Sequence, residues 1–453
     1  MRKSSLSPFS PFTRVSYKWV IVGVSFVTMA IAFGQRFTFS VFFVALLEEF
    51  SWNRAQLAGV FSLNMIASGV VSPLVGTLVD RFNPKRMILI GACLYSLALC
   101  LSSLVNNLWQ YYIAYGILGA LGFTLVATVS QSKILVNWFS ARRGTAMGIA
   151  FSGSGIGILC LVPLSQFLIL RFTWRGAYLF LGLMTFVFIF ILSVIFQKES
   201  PENKDFHNAE KQTWQESREC PDSLRQVNKS WCLKTWTLAK AMRTRQFWLI
   251  CATCILNGAG LYCILVHQIA YLVDVGFDKM LASSIFGLTG IFTTVGRGLS
   301  GAASDRFGRE QTFIFAQILI IASILILLAL NREATVTLLY MYALLLGLGY
   351  GASGPQLMAA TVVDIFERIA FGAIWGSVIL GFGIGTALGP WFGGFLFDLM
   401  GNYKLVFLIA IVNLSIGSIT FWLAAPRKIR IVIGKVPEDL KKVPPLKSHS
   451  EQI

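Results

Sequence analysis

Apolar residues in this chain fall into long blocks separated by short polar connections. The blocks cover 17–46, 55–78, 86–106, 109–135, 144–169 and 174–197, then 246–273, 280–304, 311–330, 335–361, 372–397 and 403–424. Each reaches the ~20 residues that span a hydrocarbon core. A backbone in lipid must satisfy its own hydrogen bonds, so the blocks are predicted to be helices. A closed β-barrel would alternate apolar and polar residues over ~10-residue segments, and no such alternation is present. The pattern predicts an all-α membrane protein of twelve transmembrane helices in two six-helix bundles, 17–197 and 246–424. Three polar segments complete the chain: 1–16, a central loop 198–245 and a tail 425–453.

Composition agrees. Of 453 residues, 55% are hydrophobic and 13% charged, against about 25% charged in soluble domains. The net charge of +17 does not indicate nucleic acid, because the basic residues lie in the connections and are not interleaved with base-stacking aromatics. The first block is too long for a signal-peptide core and has no small-residue cleavage site after it. Cys251 and Cys254 form a CxxC inside an apolar block with no partner pair. Cys220 and Cys232 lie in the central loop and are expected to be free thiols. No nucleophile–base pair, metal cluster or cofactor motif points to an enzyme. Gly153-Ser-Gly155-Ile-Gly157 and Gly381-Phe-Gly383-Ile-Gly385 lack the surrounding βαβ unit of a nucleotide site. They are expected to pack helices 5 and 8, or 2 and 11, closely.

Lys and Arg set the orientation. With the N-terminus inside, the inner face carries Arg2, Lys3, Arg14, Lys18, Arg81, Lys85, Arg86, Lys133, Arg142, Arg143, Arg306, Arg309 and Arg368. It also carries the basic residues of the central loop and tail. The outer face carries only Arg54, Arg171, Arg175, Lys279, Arg332 and Lys404. Both termini are therefore expected in the cytoplasm. The stretch Trp236–Arg245 is expected to lie as a basic amphipathic helix on the inner leaflet.

The two halves repeat. Gly76-Thr-Leu-Val-Asp80-Arg81-Phe-Asn-Pro-Lys85-Arg86 follows the second block, and Gly301-Ala-Ala-Ser-Asp305-Arg306-Phe-Gly-Arg309 follows the eighth. Two copies at matching points indicate an internal repeat. Gly76 and Gly301 would allow close helix approach. Asp80 and Asp305 would accept hydrogen bonds at a helix N-terminus. Arg81 and Arg306 would bridge to neighbouring helix ends, latching the inner gate in one state and releasing it in the other. With this loop the chain resembles the major facilitator superfamily over nearly its whole length. The resemblance implies two pseudo-symmetric six-helix bundles rocking about a central site.

Further stretches resemble one branch. They are Gln35-Arg36-Phe-Thr-Phe-Ser-Val-Phe-Phe43 with Ser51-Trp-Asn-Arg54, and Asn137-Trp-Phe-Ser-Ala-Arg-Arg-Gly144 before Ala146-Met-Gly148. Arg243-Thr-Arg-Gln-Phe-Trp248, Gly296-Arg-Gly298 and Phe371-Gly-Ala-Ile-Trp-Gly376 complete the set. Together they look like the oxalate/formate antiporter and monocarboxylate transporter branch.

Only Arg36 and Arg297 are charges clearly inside blocks. A central arginine costs about 2.5–3.5 kcal/mol even on lenient scales, so such residues usually face a cavity. Arg297 lies eight residues before Asp305, roughly 12 Å from the interface at the helical rise. Its planar fork matches a carboxylate. A structural pairing with backbone carbonyls or water is the alternative. The resemblance implies a carboxylate-binding arginine in helix 8, the place of Arg297. Arg36 is a second carboxylate contact, an outer gate or a structural residue.

Two departures from the branch matter. Thr293 stands where the animal proton-coupled carriers have Asp, and Ile384, Gly385 and Thr386 stand where the oxalate carrier has Lys. His267 is then the alternative proton carrier, because imidazole titrates near neutrality. Tyr115, Tyr262, Tyr350, Asn64, Asn257 and Gln131 are further polar candidates for substrate contact.

These readings converge on a secondary active transporter. It is expected to move a small organic anion, a monocarboxylate, by alternating access and with proton coupling. A dicarboxylate/monocarboxylate exchanger and a drug efflux transporter are the alternatives, the latter without the acidic cavity residue and the helix 5 Gly-Pro it would need. A transporter-like sensor is a third. No partner beyond substrate, proton and lipid bilayer is expected, nor any nucleic acid. The expected setting is a monomer in a bacterial inner membrane, with a plasma membrane as the alternative.

Overall fold

Twelve helical spans follow the apolar blocks. The structure, a computed structural model, describes residues 11–139, 143–197, 231, 236–331, 335–366, 371–424 and 427. The tail, most of the central loop with Cys220 and Cys232, and the side chain of Asp80 lie outside the described residues. Helix α1 is Pro11–Phe37 and Phe39–Phe50, broken at Thr38. Then come α2 (Arg54–Arg81) and α3 (Pro84–Ser102). Helix α4 joins Leu108–Tyr111, a π-helical turn Tyr112–Leu118, Gly119–Val126 and Thr128–Trp138. Non-helical Phe172 and Thr173 divide a continuous run into α5 (143–171) and α6 (174–196).

In the second half, α7 is Arg245–Val275, α8 Lys279–Phe307 and α9 Arg309–Ala329. Helix α10 is Val336–Ala352 and Pro355–Phe366, α11 Phe371–Met400 and α12 Lys404–Ala424. By length and apolarity ten runs qualify as spans, one of them holding both α5 and α6. Helix α8 falls short because glycine, serine, threonine and Arg297 dilute its apolar residues.

Lipid offers no hydrophobic force between helices, so association rests on close packing at small residues. A Cβ on Gly157 of α5 would sit 1.8 Å from the Ala30 carbonyl of α1, and one on Gly389 of α11 would sit 2.1 Å from the Ala259 carbonyl of α7. The same helix pair is thus locked at the same kind of contact in each half, which is the pseudo-symmetry of the two bundles. The glycine runs are distributed differently from the sequence expectation. Only Gly155 meets α8, at Gly290; Gly153 and Gly157 face α1, and Gly385 faces α7 at Ile255. The α2–α11 contact is made elsewhere, by Gly394 against the backbone of Arg54 and Ala55 and by the Ser62 hydroxyl donating to the Ala387 carbonyl.

The halves touch at one end and part at the other. At the end away from the termini, α2 meets α7, α11 and α12 through Arg54, Asp274, Asp398 and Tyr403. Toward the terminal end, a Cβ at Gly69 or Gly76 of α2, at Gly301 of α8 or at Gly376 of α11 would meet nothing within 4 Å. The expected close approach at Gly76 and Gly301 is therefore not made in this conformation. The Trp236–Arg245 stretch also departs from expectation. Only Leu238–Met242 is helical, and Trp236 is buried against Phe366 of α10, with ring centroids 5.2 Å apart, instead of lying in the leaflet.

A Gly157→Leu variant is expected to lose the α1–α5 contact, an overpacking cost of about 1–3 kcal/mol or more. Its melting midpoint in detergent should fall by several degrees or the protein should fail to accumulate. Gly76→Ala should leave the midpoint unchanged, which size-exclusion after graded heating would check.

Candidate functional site

Helical discontinuities mark where the polar groups gather. Arg36 sits two residues before the α1 break, Tyr115 lies in the π-helical turn of α4, and Tyr350 stands just before the α10 break at Ser353 and Gly354. Irregular backbone is tolerated in a membrane protein where it is buried in protein or lines a cavity. π-turns recur at functional positions for the same reason.

Arg36 is 8% exposed. Its Nη2 donates to Asn64 Oδ1 at 2.8 Å and to Ser68 Oγ at 3.0 Å, and its guanidinium lies 4.0 Å above the Phe123 ring. The Nε is buried with no hydrogen-bond partner. A loop of contacts fixes the side chain. Asn64 Nδ2 donates to the Tyr115 carbonyl at 2.8 Å, and the Tyr115 hydroxyl donates back to the Arg36 carbonyl at 3.1 Å. Tyr115 thus spends its hydroxyl on the backbone at the α1 break and supports Arg36. Asn64 does the same from α2.

Arg297 reaches across to the other half. Its Nη1 donates to Ser154 Oγ of α5 at 2.7 Å, its guanidinium lies 6.0 Å from the Tyr350 ring, and its Nε is buried without a partner. Gly351 of α10 sets this position, since a Cβ there would strike the Thr293 carbonyl at 2.2 Å and the Arg297 nitrogen at 2.8 Å. No salt bridge to Arg36 or Arg297 occurs among the described residues. Both guanidiniums lie within electrostatic range of the Tyr262 hydroxyl, which also faces Tyr350. Phe37 completes the wall, 6.2 Å from the Tyr262 ring and 6.5 Å from the Tyr350 ring. The structure therefore brings together Arg36, Arg297, Tyr262 and Tyr350. Arginines from the two halves, each held by neutral donors and acceptors, flank one aromatic surface.

Other candidates lie elsewhere. Asn257 accepts from Gln317 of α9 at 2.8 Å, which turns it toward a helix away from this surface. Gln131 pairs with Gln197 at 3.4 Å near the terminal end. Thr293 spends its hydroxyl on the Thr289 carbonyl, and Thr386 on the Gly383 carbonyl. His267 is fully buried at the sealed end. Its Nε2 lies 2.8 Å from the Pro390 carbonyl and its Nδ1 3.0 Å from the Tyr403 hydroxyl, so both ring nitrogens are committed. A carbonyl only accepts, so Nε2 carries hydrogen and Nδ1 of the neutral ring accepts from Tyr403.

The repeated loop behaves differently from the expectation as well. Asp305 accepts from Arg309 Nη1 at 2.8 Å rather than capping a helix, and Arg309 Nε reaches Asp364 of α10 at 3.0 Å. Arg81 and Arg306 are exposed. None of the ion pairs among the described residues joins the halves at this end. Ser154, Ser68 and Phe123 are partners of the arginines that the sequence does not reveal. They contact them only through tertiary packing, and no local signal marks them.

A cavity of about 240 Å³ between α7, α11 and α12, lined by Ala259, Cys263, Leu388 and Trp391, is almost wholly apolar and holds neither arginine.

A profile of the Major Facilitator Superfamily matches residues 25–360 and 268–449. Among curated relatives, monocarboxylate transporter 13 of Rattus norvegicus is 26% identical over 403 residues, covering 88% of this chain and 87% of its own. Monocarboxylate transporter 2 of Homo sapiens is 22% identical over 408 residues, covering 89% and 84%. Among solved structures, a bacterial homologue of the human lysosomal transporter Spinster, inward-facing and occupied, superposes with a TM-score of 0.68 at 14% identity, over 91% of this chain and 98% of that one. Twelve helices in two pseudo-symmetric bundles and a profile match across most of the length agree: the chain belongs to the Major Facilitator Superfamily.

Proposed function

We propose that the chain is a secondary active transporter for a small monocarboxylate, working by alternating access in symport with a proton. Membership of the superfamily makes it a transporter and not an enzyme. The substrate class, the coupling and the orientation, with both termini in the cytoplasm, are the proposal. The observation that carries it is the arginine pair. Arg36 and Arg297 each leave a buried Nε without a partner, and neither has a carboxylate among the described residues. A buried guanidinium lacking a counter-ion favours an anion that can accept from its planar fork. The names of the relatives point to the same chemistry.

The geometry suggests how binding and movement are linked. Arg36 belongs to the first half and Arg297 to the second, so one carboxylate between them ties the halves. An anion entering alone would carry its Born cost into low dielectric, and the two cations offset that cost. A proton travelling with the anion removes the net charge of the step. A dicarboxylate is the second reading, favoured by the presence of two buried-Nε arginines, one from each half.

Uptake of labelled lactate, pyruvate, formate and oxalate into proteoliposomes tests both. The wild type should take up a monocarboxylate, faster under an inward proton gradient. Arg297→Ala should reduce uptake at least tenfold, from the loss of a charge-assisted contact of about 1.5–3 kcal/mol. No gradient-stimulated uptake of any acid by folded wild type defeats the reading, and preference for oxalate moves it to the dicarboxylate. Asn64→Leu removes the acceptor that orients Arg36. It should raise KM about tenfold while leaving the melting midpoint within a few degrees of wild type.

A further inference from the structure

The sealed end carries a cluster of charges that the substrate chemistry does not use. Arg54 begins α2. Its Nη1 and Nη2 form a two-pronged pair with Asp274 at the end of α7, at 2.7 and 3.0 Å. The same Nη1 donates to the Tyr403 hydroxyl at 2.7 Å, and the guanidinium stacks 3.7 Å from the Phe397 ring. The backbone amides of Arg54 and Ala55 donate to Asp398 of α11 at 3.0 and 2.8 Å. A carboxylate from one half thus occupies the helix N-terminus of the other, where free amides and the helix dipole favour an anion. Lys279 of α8 meets Glu48 of α1 at 2.6 Å beside it.

The cluster continues inward. Tyr403 passes its hydrogen to His267, and His267 donates to the carbonyl of Pro390 in α11. Gly394 of α11 lies so close to α2 that a Cβ there would stand 2.7 Å from the Ala55 nitrogen. Every one of these contacts except those of His267 joins the first half to the second. None could survive separation of the two helix ends.

We propose that Arg54, Asp274, Asp398 and Tyr403 form the gate of the sealed end, with Arg54 as the residue that holds it shut and His267 as its inner support. This rests on the alternating-access reading. It assigns a second gate, opposite the repeated Asp-Arg loops, and it gives His267 a positioning role in place of proton transfer. Two-pronged charge-assisted bonds are the strong ones, so their loss shifts the closed-to-open ratio by about tenfold or more.

Spin labels at Glu49 and Lys404, both exposed on this end and in opposite halves, report the opening in a cysteine-depleted protein. Pulsed dipolar distances in lipid nanodiscs should show one short separation for the parent. Arg54→Ala should add a longer separation as a major population, and Asp274→Asn a smaller one. Gly394→Leu should add the same longer separation by wedging α11 from α2 without altering a charge. Each variant is first shown to be monodisperse, and Asp274→Asn provides the mild case should Arg54→Ala fail to fold. An unchanged single separation in folded Asp274→Asn and Gly394→Leu overturns the gate. The measurement needs no substrate. Shifted distances in a protein that transports no acid would defeat the carboxylate reading and leave the gate standing.

Discussion

A guanidinium inside a membrane protein must find either a counter-ion or a set of neutral partners. Among the described residues this chain supplies only neutral partners. Arg36 is held by Asn64, Ser68 and the face of Phe123, and Arg297 by Ser154 and the ring of Tyr350. These contacts orient the groups without neutralising them. The surrounding backbone is organised around the same need. The α1 break, the π-helical turn of α4 and the α10 break each fall beside a residue of the site. Beside the α1 break the Tyr115 hydroxyl donates to the Arg36 carbonyl, and Asn64 closes the loop by donating to the Tyr115 carbonyl.

Rigid halves are the second requirement, and glycine meets it by exposing backbone carbonyls to neighbouring helices. Gly157 on Ala30 and Gly389 on Ala259 lock α5 to α1 and α11 to α7. Contacts between the halves combine such backbone packing with side-chain groups. They include the Gly155–Gly290 crossing of α5 with α8, and the hydroxyl and charged groups along α2 and α11. Backbone-to-backbone packing of this kind tolerates no intruding atom and is present both within each half and between the halves. Side-chain hydrogen bonds and ion pairs can be broken and remade, which suits surfaces that separate.

Much of this was legible in the sequence. The apolar blocks place the spans to within a few residues, because span length is fixed by bilayer thickness and little else. Even α8, too polar to qualify by apolarity, is recognisable through its match to α2 in the repeated loop. Arg36 and Arg297 stand out because a charge in an apolar block is costly. What the sequence does not carry is the direction in which a polar side chain points around its helix. Nothing in the sequence tells that Asn257 turns toward Gln317 of α9, or that Tyr403 and Pro390 engage both nitrogens of His267. The repeated loop fails for another reason. Under the proposed alternating-access reading, its glycines and arginines would meet their partners in the other conformation.

The two ends of the molecule are held differently. At one end opposite charges from the two halves are joined, through Arg54 with Asp274 and Lys279 with Glu48. At the other, Asp305 and Asp364 are bound to Arg309 within a single half, and Arg306 is exposed. A carrier whose two ends both held cross-half pairs would have no reason to move, and one with neither would have no closed state. Under the proposed reading the site lies between these ends with a cation from each half, so an anion bound there adds a tie that favours neither end over the other. Occupancy lowers the barrier between the two closed arrangements where both arginines hold the anion more tightly in the state between them. That is the condition for binding energy to serve turnover and not merely retention.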